Sequence, residues 1–391
     1  MWTELPKLQL NLHGVLVFIN IAIAVTFCCA LLIVYPYAIY PIVLHLLPSK
    51  PVATDAAYNC QVTLVFCAFN EERSIAQKLA NIEMLKKRHP QLQVLAFDDG
   101  SKDNTAELIA ARPDLVTLVR GAGRNGKAYG MKILARMSQG DIIVFTDANV
   151  TLREDAIARL MQYYADPTVG GVCGSLRYYG EGQSSTAEIG SLYWKLEEHL
   201  KKEESRTGNV MGADGSIFSL RRELYPEFPD TVLDDLTVSM AAVFSGHRLI
   251  KAEDVIAFEA LVAKRGEEFA RKMRISTRAF HTHLVMRPQL KKMAAADKFK
   301  YASRKMIRWF GGLFLILGVF SAVLTALKIY TMLGIGIALL LVFTVMIGMK
   351  ATRGPLAAAI EVAMALVATL VGVFKAMRGQ TFTIWNPAKS R

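Results

Sequence analysis

Hydrophobic and polar positions divide the chain into two apolar ends and a mixed middle. Residues 12–47 are almost free of charge. A helix rising about 1.5 Å per residue crosses a bilayer with roughly 20 apolar residues, so this stretch exceeds one span. Pro36 and Pro41, set among Tyr35, Tyr37 and Tyr40, suit its interfacial end. It reads as one membrane helix plus an interfacial extension, because no charged or glycine-rich break supplies the turn that two spans need. Three more apolar stretches lie at 309–327, 330–349 and 356–374. Arg304, Lys305 and Arg308 precede the first, Lys350 and Arg353 separate the second from the third, and Lys375, Arg378, Lys389 and Arg391 follow. Such lengths and basic flanks point to membrane spans. With the middle in the cytoplasm, three C-terminal spans would leave a basic tail outside, against the preference of Lys and Arg for the inside. Either the third segment is re-entrant or interfacial, or the rule fails. Glu361 within it favours a non-standard role.

Between these ends the period changes. Short apolar runs of strand length occur at 61–69 (QVTLVFCAF), 92–97, 116–119 and 141–146 (DIIVFT), and helical patterns separate them at 74–87, 104–111 and 127–137. Strands alternating with helices predict an α/β fold with a doubly wound, mostly parallel sheet. Such sheets bind ligands beyond the C-terminal ends of their strands. The expected organisation is an N-terminal membrane helix and interfacial segment at 1–48, the α/β domain at 49–285, a basic interfacial linker at 286–308, and the C-terminal membrane segments and tail at 309–391.

Composition sharpens this picture. The chain is 52% apolar with a formal net charge of +12. The apolar excess is concentrated at the two ends, as membrane anchoring requires. A basic balance suits nucleic acid, anionic lipid or a phosphorylated ligand. Beside membrane segments, lipid head groups and a phosphorylated ligand are the simpler partners, and nucleic acid is not expected. Cys28, Cys29, Cys60, Cys67 and Cys173 form neither a disulfide framework nor a zinc motif, which fits a reducing cytoplasm. The first apolar run is too long for a signal peptide and lacks a small-residue cleavage site.

The polar clusters fall at strand ends. Asn70 and Glu71 follow the first strand, and Asp98, Asp99, Gly100 and Ser101 follow the second. These residues suit hydrogen bonds to a base or ribose, and serve equally as turn and cap residues. Residues 121–127 (GAGRNGK) place glycines, Arg124 and Lys127 before a helix, a setting for a pyrophosphate but not a Walker loop. Asp147 and Asn149, two apart in extended chain, point to one side and can hold Mg²⁺ or Mn²⁺. An N-capping aspartate is the alternative. Asp234 and Asp235 are adjacent carboxylates, so one raises the pKa of the other and a general base can result; acids at a helix N-terminus are the plainer reading. Arg265, Arg271, Lys272, Arg274 and Arg278 form a basic helix facing phosphate or anionic lipid.

Taken in order, VTLVFCAFNEERSI (62–75), AFDDGSKDNT (96–105), GKAYGM (126–131), FTDAN (145–149), GADGSIFSLRRELY (212–225) and LDDLTVSMAAVFSGHR (233–248) resemble the membrane-anchored bacterial family-2 glycosyltransferases of GT-A fold. The likeness covers nearly the whole chain. It implies that Ala68, Asn70, Glu71, Asp98 and Asp99 line the nucleoside pocket and that Lys127 lies near the donor diphosphate. Asp147 matches the first acid of the DxD metal motif, with Asn149 in place of the second. Asp235 matches the catalytic base, with Asp234 beside it, and Gly212 and Asp214 belong to the loop lining the donor sugar and acceptor. Processive synthases carry Gln-x-x-Arg-Trp where this chain has Arg271-Lys-Met-Arg-Ile275, so Arg271 and Arg274 become donor contacts and transfer of one sugar is favoured. The resemblance implies inverting transfer from a UDP- or GDP-sugar, with Mg²⁺ or Mn²⁺, to a lipid-linked saccharide in bacterial exopolysaccharide, capsule or glycolipid synthesis. The enzyme would be a multi-pass protein of the bacterial cytoplasmic membrane, in contact with its lipids and with the catalytic domain facing the cytoplasm; a homo-oligomer is compatible with it. A processive polysaccharide synthase and an inactive membrane scaffold are the alternatives.

Overall fold

The computed structural model describes residues 5–179, 185–260, 265–351 and 353–383. It opens with α1 (Leu5–Val34) and, after a short turn, α2 (Ile39–Leu46). There follow β1 (Val62–Ala68), α3 (Glu72–Arg88), β2 (Gln93–Asp98), α4 (Thr105–Ala110), β3 (Thr117–Arg120), α5 (Lys127–Met137) and β4 (Ile142–Asp147). These are the strands and helices that the alternating pattern predicts. Val62, Leu64, Phe66 and Ala68 face one core while Val65 and Cys67 face the other. With both faces covered, a parallel strand reads as an unbroken apolar run.

The second half continues with β5 (Thr151–Leu152), α6 (Ala156–Tyr163), β6 (Val169–Tyr179), α7 (Ser185–Arg206), β7 (Ile217–Arg221), α8 (Asp234–Phe244), β8 (Arg248–Ala260) and α9 (Arg265–Lys292). Among the described residues one sheet runs in the order β3-β2-β1-β4-β7-β6-β8-β5. β7 is antiparallel to β4 and β6 on either side of it, and β5 is antiparallel to β8 at the edge. The other six strands share one direction, so the sheet is mostly parallel with one reversed strand inside it. That reversal brings the loop before β7 back to the C-terminal end of β4, where a parallel sheet binds its ligand.

The chain then forms α10 (Ala295–Tyr301), a π-helical turn (Ala302–Met306), α11 (Ile307–Trp309), α12 (Gly311–Ile329), α13 (Thr331–Lys350) and α14 (Pro355–Met377). Residues 286–308, expected as an interfacial linker, contribute Met286, Leu290, Met293 and Tyr301 to the second core. Among the described residues four stretches are long and apolar enough to cross a membrane: His13–Val34, Gly311–Ile329, Thr331–Lys350 and Pro355–Met377. α12 packs on α1, with Gly318 against Cys29 and the Ser321 hydroxyl donating to the Ala22 carbonyl at 2.8 Å. α14 behaves differently. A Cβ at Gly372 would lie 2.6 Å from the Met273 carbonyl oxygen, so α14 crosses α9 at backbone contact. Val373 and Ala376 join the core of the α/β domain, and the Thr381 hydroxyl donates to the Thr231 carbonyl at 3.1 Å. The chain after the third C-terminal segment therefore returns to the α/β domain.

Candidate active site

The loops after β1 and β2 hold each other. Asn70 adopts a left-handed φ of 52°; its side-chain oxygen accepts from Lys102 N at 2.8 Å, and its own N–H donates to Ser101 Oγ at 3.0 Å. Asp98 accepts from Ser101 N at 3.2 Å, and Glu71 N donates to Thr105 Oγ1 at 2.8 Å. Ala68, at the end of β1, is buried, and its carbonyl accepts from Asp99 N at 2.9 Å. Asp99 is fully buried. It accepts from Asn125 N at 2.7 Å and Gly126 N at 3.0 Å, and its other oxygen lies 3.2 Å from Arg124 Nε. Gly126 has φ +96°, a turn that side chains resist, and α5 begins at the next residue. Asp99 thus fixes the glycine-rich loop and the direction of Lys127. The Arg124 guanidinium lies 3.3 Å from the centre of the Phe69 ring.

Lys127 is the hub of an acidic cluster. Its Nζ lies 2.6 Å from Asp147 Oδ1 at the end of β4 and 3.7 Å from Asp234 Oδ2 at the start of α8. A Cβ placed on Gly215 would sit 3.0 Å from Lys127 Nζ, 3.4 Å from Asp235 Oδ2 and 3.8 Å from Asp147 Oδ2. Glycine leaves open the point where these three groups converge. Burial first, then the adjacent Asp234 carboxylate, push Asp235 up to about 7, with Lys127 opposing the rise. A carboxylate poised there can take a proton near neutral pH. Arg278, one turn beyond Arg274 on α9, is buried and lies 3.7 Å from Asp234 Oδ1, held by the Val232 carbonyl at 2.7 Å. Three acids, Asp147, Asp234 and Asp235, thus face two cations, Lys127 and Arg278.

The loop between α7 and β7 is tied down from behind. Asp214 accepts from Lys201 Nζ and, at 2.5 Å, from the Ser216 hydroxyl, and the Thr146 hydroxyl donates to the Ser216 carbonyl at 2.9 Å. Ser239 Oγ accepts from Ala213 N at 2.9 Å and donates to the Asp235 carbonyl at 2.6 Å, locking the loop to α8. Gly212, at φ +95°, packs on Leu236. Asp214 therefore anchors the loop through Lys201 rather than facing the convergence point from the front.

Among the described residues no three Asp, Glu, His or Cys side chains form a cage for a metal. A cation here would need oxygens from a bound diphosphate as well. The Asn149 amide donates to Glu259 Oε1 at 2.9 Å. A carboxylate accepts only, so this contact fixes which end of the amide faces Glu259 and turns the amide oxygen away from it. The half-exposed Asp147 carboxylate and an amide oxygen form a hard, all-oxygen donor set, which fits Mg²⁺ or Mn²⁺.

Several placements lie outside the sequence reading. Glu259 lies on β8 and Lys201 on α7, elements the sequence pattern does not single out. Arg278 is one member of the basic run; nothing in spacing alone distinguishes it from Arg271 and Arg274. In the structure Arg271 is exposed and Arg274 half-buried, while Arg278 reaches the acids.

Residues 63–228 match the family model described as glycosyl transferase family 2. A 118-residue stretch is 33% identical to the beta-monoglucosyldiacylglycerol synthase of Synechocystis sp., covering 28% of this chain and 24% of that one. A 200-residue stretch is 24% identical to the poly-beta-1,6-N-acetyl-D-glucosamine synthase of Staphylococcus aureus, covering 48% of this chain and 47% of that one. In these matches the chain spans half or less of the relatives' length. The fold is similar to that of a mannosyltransferase from Pyrobaculum calidifontis solved with GDP-Man and Mn²⁺, with a TM-score of 0.71 and 25% identity over 93% of this chain and 99% of that one. A matching domain, a shared fold and the strand-end motifs agree: residues 63–228 form a family-2 glycosyltransferase domain of GT-A fold, accompanied among the described residues by four helices long and apolar enough to cross a membrane.

Proposed function

We propose that this chain is an inverting glycosyltransferase that moves one sugar from a nucleoside diphosphate donor onto an acceptor held in the membrane. The observation that carries the proposal is the convergence of Lys127, Asp147 and Asp235 on the space left open by Gly215. Asp235, held near neutral by burial and Asp234, accepts the proton of the acceptor hydroxyl. The freed oxygen attacks the anomeric carbon from the side opposite the diphosphate, which inverts the configuration. Lys127 faces the diphosphate and neutralises charge as it leaves, and Arg278 holds Asp234 in place. Asp147 and the Asn149 amide oxygen would hold a divalent cation, which supplies further charge neutralisation at the diphosphate when bound. Asp98, Glu71 and the Arg124–Phe69 stack stand where the nucleoside would lie, at the ends of β1 and β2.

A membrane acceptor is supported by anchoring at both ends of the domain. The domain lies between α1–α2 and α12–α14, and the end of α14 returns to it. In support of this reading, the described residues after α14 return to the domain through Thr381, and the preference of Lys and Arg for the cytoplasm suits a domain on that side. The relatives named above make a glycolipid and a polysaccharide by their names, and both products are compatible with this site.

The test is release of nucleoside diphosphate by the purified full chain in detergent, across a panel of UDP- and GDP-sugars. Turnover of one donor, supported by Mn²⁺ or Mg²⁺ and abolished by EDTA, is expected. No turnover of any nucleotide sugar, with or without membrane lipid, would overturn the assignment.

A further inference from the structure

A second ion cluster lies between the catalytic domain and the start of α12. The buried Arg304 guanidinium donates to Glu204 Oε2 at 2.5 Å and to Glu197 Oε2 at 3.1 Å. Arg308 lies 2.5 Å from Glu197 Oε1. Tyr40 OH donates to Glu204 Oε1 at 2.7 Å, and Met211 N to Glu204 Oε2 at 3.0 Å. Every carboxylate oxygen of both glutamates is engaged. Three cations, Arg304, Lys305 and Arg308, share these two acids, and Lys305 makes no ion pair or hydrogen bond with any described residue.

Lys305 is half-buried. A Cβ on Gly212 would lie 3.9 Å from its Nζ, so the ammonium faces the loop that continues to Gly215 and the catalytic point. Three residues of chain span at most about 11 Å, which bounds the distance along that loop. Burial, then Arg304 and Arg308, push the ammonium down to about 8, with Glu197 and Glu204 opposing. Lys305 also occupies the π-helical turn Ala302–Met306, a local departure from regular helix that often marks a functional position. The apolar helix α12 starts six residues later, at Gly311. At about 1.5 Å per residue that is about 9 Å, comparable with the depth of a bilayer's polar layer.

A half-buried cation with no ion-pair partner among the described residues, close to the catalytic loop and shortly before the apolar helix α12, calls for an anion from the bilayer. We propose that Lys305, with Gly212 beside it, is a binding site for the phosphate of a membrane lipid. The proposal deepens the membrane-acceptor reading, because a phosphate held there places the rest of its lipid toward α12 and its polar substituent toward Asp235. The lipid class is one with a phosphate directly below its head group or carried sugar.

The experiment uses the full chain in phosphatidylcholine nanodiscs and follows thermal unfolding. The probes are a polyprenyl monophosphate or phosphatidic acid doped into the disc, and inorganic phosphate in the buffer. Wild-type protein gains a higher unfolding midpoint from the lipid phosphates and little from inorganic phosphate at the same total concentration. Lys305→Met weakens that response at least tenfold, while Lys305→Arg keeps most of it. Equal responses of wild type and Lys305→Met, or a response to inorganic phosphate alone, would overturn the site. If both variants have lower midpoints in plain phosphatidylcholine, the lipid response of Lys305→Arg against Lys305→Met still decides. The readout needs no transfer, so an active enzyme without the response refutes the site alone, and a response without transfer refutes the enzyme reading alone.

Discussion

Two ion clusters flank residues 212–216, and they are unbalanced in opposite senses. At the proposed catalytic point three acids, Asp147, Asp234 and Asp235, meet two cations, Lys127 and Arg278. At the junction with α12 two acids, Glu197 and Glu204, pair with Arg304 and Arg308, and the third cation, Lys305, makes no ion pair among the described residues. A buried charge without a partner is expensive, so a fold that keeps one has a site for a ligand of the opposite sign, or a group that titrates. The first cluster uses the second outlet, since Asp235 rises to about 7, and the Asp147 oxygen not paired with Lys127 faces the space left open by Gly215. The second lowers Lys305 to about 8 and leaves it open to an anion. The difference teaches that similar buried arrays of Arg, Lys, Asp and Glu carry chemistry through their imbalance, while their matched pairs hold structure.

The largest effect is expected where matching is most complete. Arg304→Met leaves Glu204 buried without its cation and Glu197 with Arg308 alone, and should destabilise the protein by about 3–5 kcal/mol. Denaturant unfolding in detergent measures this, and a loss below about 1 kcal/mol would show that the pair is solvated rather than buried.

The catalytic imbalance is tested next. Asp235→Asn keeps the shape but cannot take a proton, and transfer should fall at least about a hundredfold with donor affinity nearly unchanged. Single-turnover assays beside donor titration separate the two quantities. Stability should move the other way. The folded state raises this acid from 3.8 to about 7, so the wild type loses stability as pH climbs from about 4 through 7. Asp235→Asn lacks that loss, and its unfolding midpoint should exceed that of wild type above pH 7 while matching it near pH 4. Wild-type transfer should in turn rise with pH through about 7 as the base ionises.

A smaller effect is expected at the cation's place. Asp147→Ala should weaken nucleoside diphosphate binding about tenfold in Mn²⁺ and leave it unchanged in EDTA, measured by calorimetry. An equal loss in both conditions would show that Asp147 serves only Lys127.

The smallest effect distinguishes a lost ligand from a substituted one. Asn149→Asp restores the second acid of a DxD pattern but sets a carboxylate against that of Glu259, where the amide now donates at 2.9 Å. Like charges repel, so the variant should be less stable by about 1 kcal/mol at neutral pH, and the deficit should vanish as pH falls and one acid protonates. Unfolding midpoints from pH 4 to 8 measure it. A variant more stable than wild type at pH 7 would show that Glu259 is itself protonated there.

Much of the fold was readable before the structure. The runs at 61–69, 92–97 and 141–146 predict β1, β2 and β4 because strands buried on both faces need apolar residues at every position. The three C-terminal segments fall within a few residues of α12, α13 and α14 because an apolar run without charges has few alternatives to a long helix. β7 and β8 were not readable in this way. Whether a short apolar run pairs parallel or antiparallel depends on which strand lies beside it, and periodicity does not carry that.

Local chemistry and spacing placed Lys127, Asp147, Asp234 and Asp235 in the sequence as candidates for one site, and the order of their motifs gave the family. Three things were decided only by the tertiary structure. Asp99 turned inward to hold Gly126, because backbone N–H groups at the start of α5 had no other acceptor. Glu259 came to Asn149 from β8, 110 residues away, and Arg278 rather than Arg271 or Arg274 met Asp234. Composition and period fix which residues must be buried or can bear charge. Which charges meet, and which one is left without a partner, is set by long-range packing around residues 212–216.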